Sequence, residues 1–118
     1  MNTLLPPELK NQLPRLCAQQ AVDDPVVHAK FFFPGGAWTW LVTEGQPEGD
    51  DFTFFGYVIG FEAEWGYFTL NELEVVNVKG IVIECDCNFE PTIFSTCLLD
   101  LQSQGIKTSG RQVLRIST

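Results

Sequence analysis

The chain has 118 residues, 45% of them apolar and 19% charged, with 7 Lys plus Arg against 15 Asp plus Glu for a formal net charge of −8. That length suits one globular domain, and 10 Phe, 3 Trp and 2 Tyr supply enough apolar area to exclude disorder. Collagen, coiled-coil and low-complexity classes fail on composition, and a pI near 4.4 argues against a generic phosphate-binding surface, which works through Lys and Arg. In chain order, Pro6, Pro7 and Glu8 open a short helix carrying Leu9 and Leu13 on one face, since Pro is tolerated in a first turn and Glu suits the positive end of the dipole. Pro14 ends or kinks it, with Leu16, Cys17 and Ala18 able to continue it, and Asp23-Asp24-Pro25 makes a turn.

Residues 26–33 are β-branched and aromatic and stop at Pro34-Gly35-Gly36, after which residues 37–44 alternate around Trp38 and Trp40. Two such runs around a turn predict an antiparallel hairpin with Phe32 near Trp38. Residues 45–51 read as a polar loop and residues 52–61 as a strand, where Gly56 and Gly60 mark bulges or close backbone approach. Residues 62–66 read as a turn and Tyr67-Phe68 as a short strand end. Thr69 with Glu72 three residues on forms a capping box, predicting a helix through about Val76 that Lys79-Gly80 ends. Residues 81–84 and 85–89 are strand-like, Glu90-Pro91 closes them, residues 94–101 predict a last short helix, and residues 113–116 a weak strand or a frayed tail. The fold class expected is α+β: one domain, residues 1–118, with an antiparallel sheet of about four to six strands packed on two or three short helices.

Several of these runs together resemble a known family. Leu4-Leu5-Pro6-Pro7-Glu8-Leu9 with Leu13-Pro14, Asp24-Pro25-Val26-Val27-His28, Trp38-Thr39-Trp40 with Thr43-Glu44, Phe54-Phe55-Gly56-Tyr57, and Gly66-Tyr67-Phe68-Thr69-Leu70-Asn71-Glu72-Leu73 are similar to DUF2958, a small bacterial family. The resemblance covers residues 4–91, and residues 92–118 stand outside it as a divergent C-terminal segment. It implies no catalytic residues; it does imply a setting on plasmids and other mobile elements. Where the family's usual ending carries Glu-Arg-Asp, this chain has Glu84-Cys85-Asp86.

Charge layout is the clearest functional signal. Residues 44–90 hold eleven acidic side chains against Lys79 alone, a net −10, which leaves +2 for the rest. Such a field repels nucleic acid and attracts a basic protein, although a merely solvated surface has the same composition. The expectation is therefore a non-catalytic cytoplasmic accessory protein that binds a basic protein partner through Glu44, Asp50, Asp51, Glu62, Glu64 and Trp65, in the manner of an inhibitor seated on a nucleic-acid-binding defence enzyme. No free nucleic acid, membrane, metal or cofactor enters that expectation. The alternative is a small metal-assisted hydrolase built on clustered carboxylates, drawn from Glu44, Glu62, Glu64, Glu84 and Asp86. The remaining candidates are weaker. Cys85-x-Cys87 with Cys17 and Cys97 has poor zinc-knuckle spacing, so reduced thiols are expected; His28, the only His, reads as a sheet residue; and the aromatics Trp38, Trp40, Phe54, Phe55, Trp65, Tyr67 and Phe68 read as core sooner than as a stacking platform. No stretch approaches the roughly 20 apolar residues of a membrane span, and the N-terminus lacks the pattern of a secretory signal.

Overall fold

A computed structural model describes residues 4–106. Its centre is a five-stranded antiparallel sheet in the order β5-β4-β3-β2-β8, formed by β2 (Ala29–Phe32), β3 (Thr39–Glu48), β4 (Asp51–Ile59), β5 (Ala63–Thr69) and β8 (Glu84–Cys85). Three helices accompany it, α1 (Pro7–Gln12), α2 (Leu70–Glu74) and α3 (Phe94–Ser103). Two small pairs complete the fold: β1 (Val26–Val27) with β9 (Thr92–Ile93), and β6 (Asn77–Val78) with β7 (Ile81–Val82). The α+β class holds. The 34–36 turn joins antiparallel strands as the sequence predicts, with Phe32 opposite Thr39 and the Phe33 N–H donating to the Trp38 carbonyl at 3.0 Å.

Strand alternation sorts the aromatics onto two faces. Phe31, Trp40, Phe52, Phe54 and Phe68 fill one core with Leu4, Leu5 and Leu13 of the N-terminal segment, Leu73 of α2 and Ile83. Leu41, Tyr57, Ile59 and Ala63 point the other way, where Val27 of β1 and Cys97 and Leu101 of α3 cover them. Gly56 has a steric reason to be glycine: a Cβ there would lie 2.1 Å from the Leu41 carbonyl oxygen.

Five boundaries differ from the sequence expectation. Strand character at 85–89 stops at Cys85, and Cys87 and Asn88 form a turn. Residues 45–51 are not a loop, because β3 and β4 pair out to Glu48 and Asp51 and leave only Gly49 and Asp50 in the turn. Gly49 supplies the positive φ of +59° that such a two-residue connection needs. Residues 63–66 are strand, since Ala63 to Thr69 pair with β4 without a break in register; flanking polarity there reflects an exposed strand face. The helix after Thr69 ends at Glu74, and Lys79-Gly80, both at positive φ, form the β6–β7 turn instead of a helix stop. Residues 26–33 split at His28, whose N–H donates to the Val42 carbonyl at 2.8 Å while Val26 and Val27 leave to pair with β9. The expected strand at 113–116 lies outside the described residues.

Candidate functional site

The site begins with an irregularity in β3. The register slips between Val42 and Glu44, and such a bulge turns two successive side chains to the same side. Thr43 and Glu44 consequently both line a cleft of about 440 Å³ on the sheet face that carries Phe55. Its opposite wall is the 17–25 segment. Glu44 is 4% exposed, and its two oxygens accept from the Cys17 and Gln19 N–H groups, each at 2.7 Å. Gln19 extends the clamp: its Nε2 donates to the Val26 and Thr43 carbonyls at 2.9 Å, and its Oε1 accepts from the Val26 N–H at 2.7 Å. Cys17 is held at a φ of +73°, a conformation that costs a side chain of this kind about 1 kcal/mol and that the Glu44 bond offsets.

The sheet side of the cleft is an aromatic wall. Phe55 and Trp65 stack at 5.7 Å with 11° between planes, and Tyr67 packs on Phe55 at 4.9 Å. Behind them Tyr57 and Phe94 brace Trp65 at 5.3 and 4.6 Å. Tyr67 is nonetheless 64% exposed. The wall is thus fixed by packing on one side and open on the other. Asp23 joins Glu44 at the cleft, and no Lys or Arg among the described residues lines it.

The six residues expected to bind a partner fall in three places. Glu44 is not a surface carboxylate but the buried clamp just described, because its position after the bulge turns it under the 17–25 segment. Asp50 sits at the exposed tip of the β3–β4 hairpin. Asp51 beside it is tied inward, accepting from the Phe52 N–H at 2.7 Å and the Asn71 N–H at 3.0 Å; desolvation pushes its carboxyl up, but these bonds outweigh that and leave it below the ordinary value. Glu62, Glu64 and Trp65 are neighbours at the start of β5 but part by face: Trp65 turns to the cleft, while Glu62 and Glu64 line a second recess of about 320 Å³ with Trp38, Val58 and Phe61. Phe61, 95% exposed, rests edge-on against Trp38 at 5.7 Å.

The carboxylates of the hydrolase alternative are dispersed. Glu84 lies exposed on β8, and Asp86 faces Lys30 at 3.8 Å. Among the described residues no three of His, Cys, Asp and Glu gather closely enough to hold a metal ion. Cys17 and Cys87 are exposed, Cys85 half-buried and Cys97 buried. Of the seven aromatics considered as a platform, Trp40, Phe54 and Phe68 are buried in the other core, as expected of packing residues, whereas Phe55, Trp65 and Tyr67 form the open wall. Gln19 and Asp23 were not singled out by the sequence. The Asp23-Asp24-Pro25 turn marks where their segment reverses, but only tertiary contact shows that it lies across β3.

The chain belongs to the DUF2958 family: the model of that family, described as a protein of unknown function, matches residues 4–104. The match runs past Pro91 and through α3, so the helix that completes the second core lies within the matched region. No curated protein and no solved structure matches the chain. No helix among the described residues is long and apolar enough to cross a membrane.

Proposed function

We propose that this protein is a binding module that captures a basic segment of a partner protein in the cleft between the 17–25 segment and β5. One observation carries the reading: a packed, partly exposed wall of Phe55, Trp65 and Tyr67 stands beside Glu44 and Asp23 in a cleft that no Lys or Arg among the described residues lines. Aromatic faces attract Arg and Lys side chains by their quadrupole, by about 0.5–2 kcal/mol each, and carboxylates nearby add a Coulomb term. Because neighbouring rings already hold Trp65, little side-chain entropy is lost on binding. The net −10 over residues 44–90 acts at longer range by steering a basic partner inward. A nucleic-acid-binding enzyme, whose groove is lined by Lys and Arg, is a partner of this chemistry, and occupying such a groove on behalf of a mobile element is the biological role we infer.

The test is calorimetric titration of the protein with a folded basic protein such as cytochrome c and with an acidic protein of similar size. Binding of the basic protein alone, reduced at least tenfold by Trp65→Ala with Tyr67→Ala and weakened as salt rises, supports the reading. Equal binding of both probes, or indifference to the double substitution, overturns it.

A further inference from the structure

Among the described residues β5 is an edge strand, and apart from the single charge of Glu64 it lacks the features that usually keep edges from pairing. It runs seven residues, Ala63–Thr69, in unbroken register with β4 and contains no Pro and no Lys; natural edges are normally shortened, bulged or charged with Lys. The opposite edge, β8, has only two residues. The direction of the free backbone groups on β5 follows from three bonds. The Thr69 N–H donates to the Glu72 carboxylate and not to β4. The Phe55 carbonyl, opposite Tyr67, accepts from Thr43 Oγ1 on the β3 side. The Glu62 carbonyl accepts from the Gly60 N–H across the turn. In an antiparallel ladder, bonded and non-bonded pairs alternate, so Trp65 and Tyr67 turn their N–H and C=O groups away from β4, toward the open side. A Cβ built on Gly66 meets nothing within 4 Å.

We infer that the partner's basic segment binds as a sixth strand, extended along β5 and hydrogen-bonded to the backbone of Trp65 and Tyr67. This rests on the basic-partner reading above and adds the mode of capture. Successive side chains of an added strand point to opposite faces. On one face they meet the rings of Trp65 and Tyr67; on the other they meet Glu64 and the recess it shares with Phe61 and Trp38. Either face of this edge therefore offers an aromatic surface with a carboxylate, so Arg or Lys at alternate positions is suited whichever face it meets. Charge also selects the occupant. A second copy of this chain would bring another Glu64 and another −8 to the same edge, a like-charge juxtaposition that a basic segment avoids.

The probe is the blocked heptapeptide acetyl-(Arg-Thr)3-Arg-amide, compared with the same peptide methylated on every backbone nitrogen, which keeps the charge and removes the donors. Methylation is expected to weaken binding at least tenfold, and Tyr67→Pro, which deletes the outward N–H with the ring, to weaken it at least tenfold more than Tyr67→Ala. Should Tyr67→Pro fail to fold by circular dichroism, the methylated peptide decides. Equal binding of the two peptides, or binding of cytochrome c without binding of the heptapeptide, overturns strand addition while the basic-partner reading stands. Equal binding of a third peptide, acetyl-(Glu-Thr)3-Glu-amide, overturns both. A concentration-dependent dimer that Tyr67→Pro abolishes places a second copy on the edge and likewise overturns the proposal.

Discussion

Glu44 shows how one buried carboxylate can organise a segment with little regular structure of its own. Its oxygens satisfy two backbone donors, the Cys17 and Gln19 N–H groups, and a donor left unpaired in a buried site costs about 1–3 kcal/mol. Glu44→Ala is therefore expected to lower stability by about 2–4 kcal/mol, since two such donors lose their acceptor and Cys17 loses what holds its positive φ; denaturant unfolding measures it, and a loss below about 0.5 kcal/mol, the usual size of a surface change, would contradict the clamp. The thiols divide by environment. Burial, with Asp86 nearby, pushes Cys85 up to about 11, and burial with Asp100 nearby pushes Cys97 up to about 11, so neither has appreciable thiolate at neutral pH. With Ellman's reagent the exposed Cys17 and Cys87 are expected to react first and the other two only on unfolding. Four fast thiols would contradict this burial pattern, and fewer than four after unfolding without reductant would contradict the expectation that all are reduced. Only part of this was legible beforehand. The spacing of Cys85 and Cys87 suits one strand face, yet β8 ends at Cys85 and Cys87 lies exposed in the turn that follows; likewise nothing local to Glu44 distinguishes it from Glu48, which is exposed, because the bulge at Thr43 decides and depends on the pairing of β3 with β4.

At the scale of elements, side-chain bonds fix where α2 and α3 start. Thr69 accepts from the Glu72 N–H at 3.2 Å and the Glu72 carboxylate accepts from the Thr69 N–H at 2.8 Å, a reciprocal cap that was readable directly from the Thr-x-x-Glu spacing. Thr69→Ala is expected to cost about 1 kcal/mol, read as a shift in denaturant midpoint. The start of α3 was not readable in the same way, because its cap comes from a distant residue: Asp24 accepts from the Ser95 N–H at 2.9 Å and from its hydroxyl at 2.6 Å. Those bonds hold the Asp24 carboxyl below the ordinary value, whereas burial holds the His28 imidazole below its own. Both depressed values have the same sign in linkage. The unfolded chain binds the proton more readily, so stability falls with pH, below about 6.5 for His28 and below about 4 for Asp24. His28→Gln is expected to flatten the first slope and Asp24→Asn the second in urea unfolding followed across pH; unchanged slopes would contradict the assignments. The strand boundaries at 45–51 and 63–66 escaped local reading for a common reason. Gly, Glu, Pro and Asp look like loop in isolation, yet in β3 and β4 they sit at a hairpin tip where the side chains face solvent and pairing alone keeps the chain extended.

For the molecule as a whole, the recesses that suit a basic segment lie along β5. The acidic stretch of residues 44–90 contributes β4 and β5, and both recesses with exposed aromatic rings adjoin β5. Attraction to a basic partner should then fall steeply with salt, because the Debye length shrinks from about 10 Å at 0.1 M to about 3 Å at 1 M. The three basic residues Lys107, Arg111 and Arg115 lie outside the described residues and, being close in sequence, are a place where phosphate contacts could concentrate. In gel shifts at about 150 mM salt neither single- nor double-stranded nucleic acid is expected to bind; micromolar binding lost on neutralising those three residues would make the tail the working end. Composition and acidic balance were fully legible from sequence. That Trp65 and Tyr67 face the cleft while Phe54 and Phe68 fill the core follows from strand register, which the sequence leaves open once residues 63–66 are taken for a turn.

A basic segment is expected to touch the protein at the cleft and along β5, and amide chemical-shift mapping with the Arg-Thr heptapeptide reads that location residue by residue. Shifts are expected to concentrate on Gln19, Glu44 and Phe55 around the cleft and on Glu64, Trp65 and Tyr67 along β5. Shifts centred instead on β8, on the 107–118 segment or on α1, with the cleft and β5 unmoved, would contradict it.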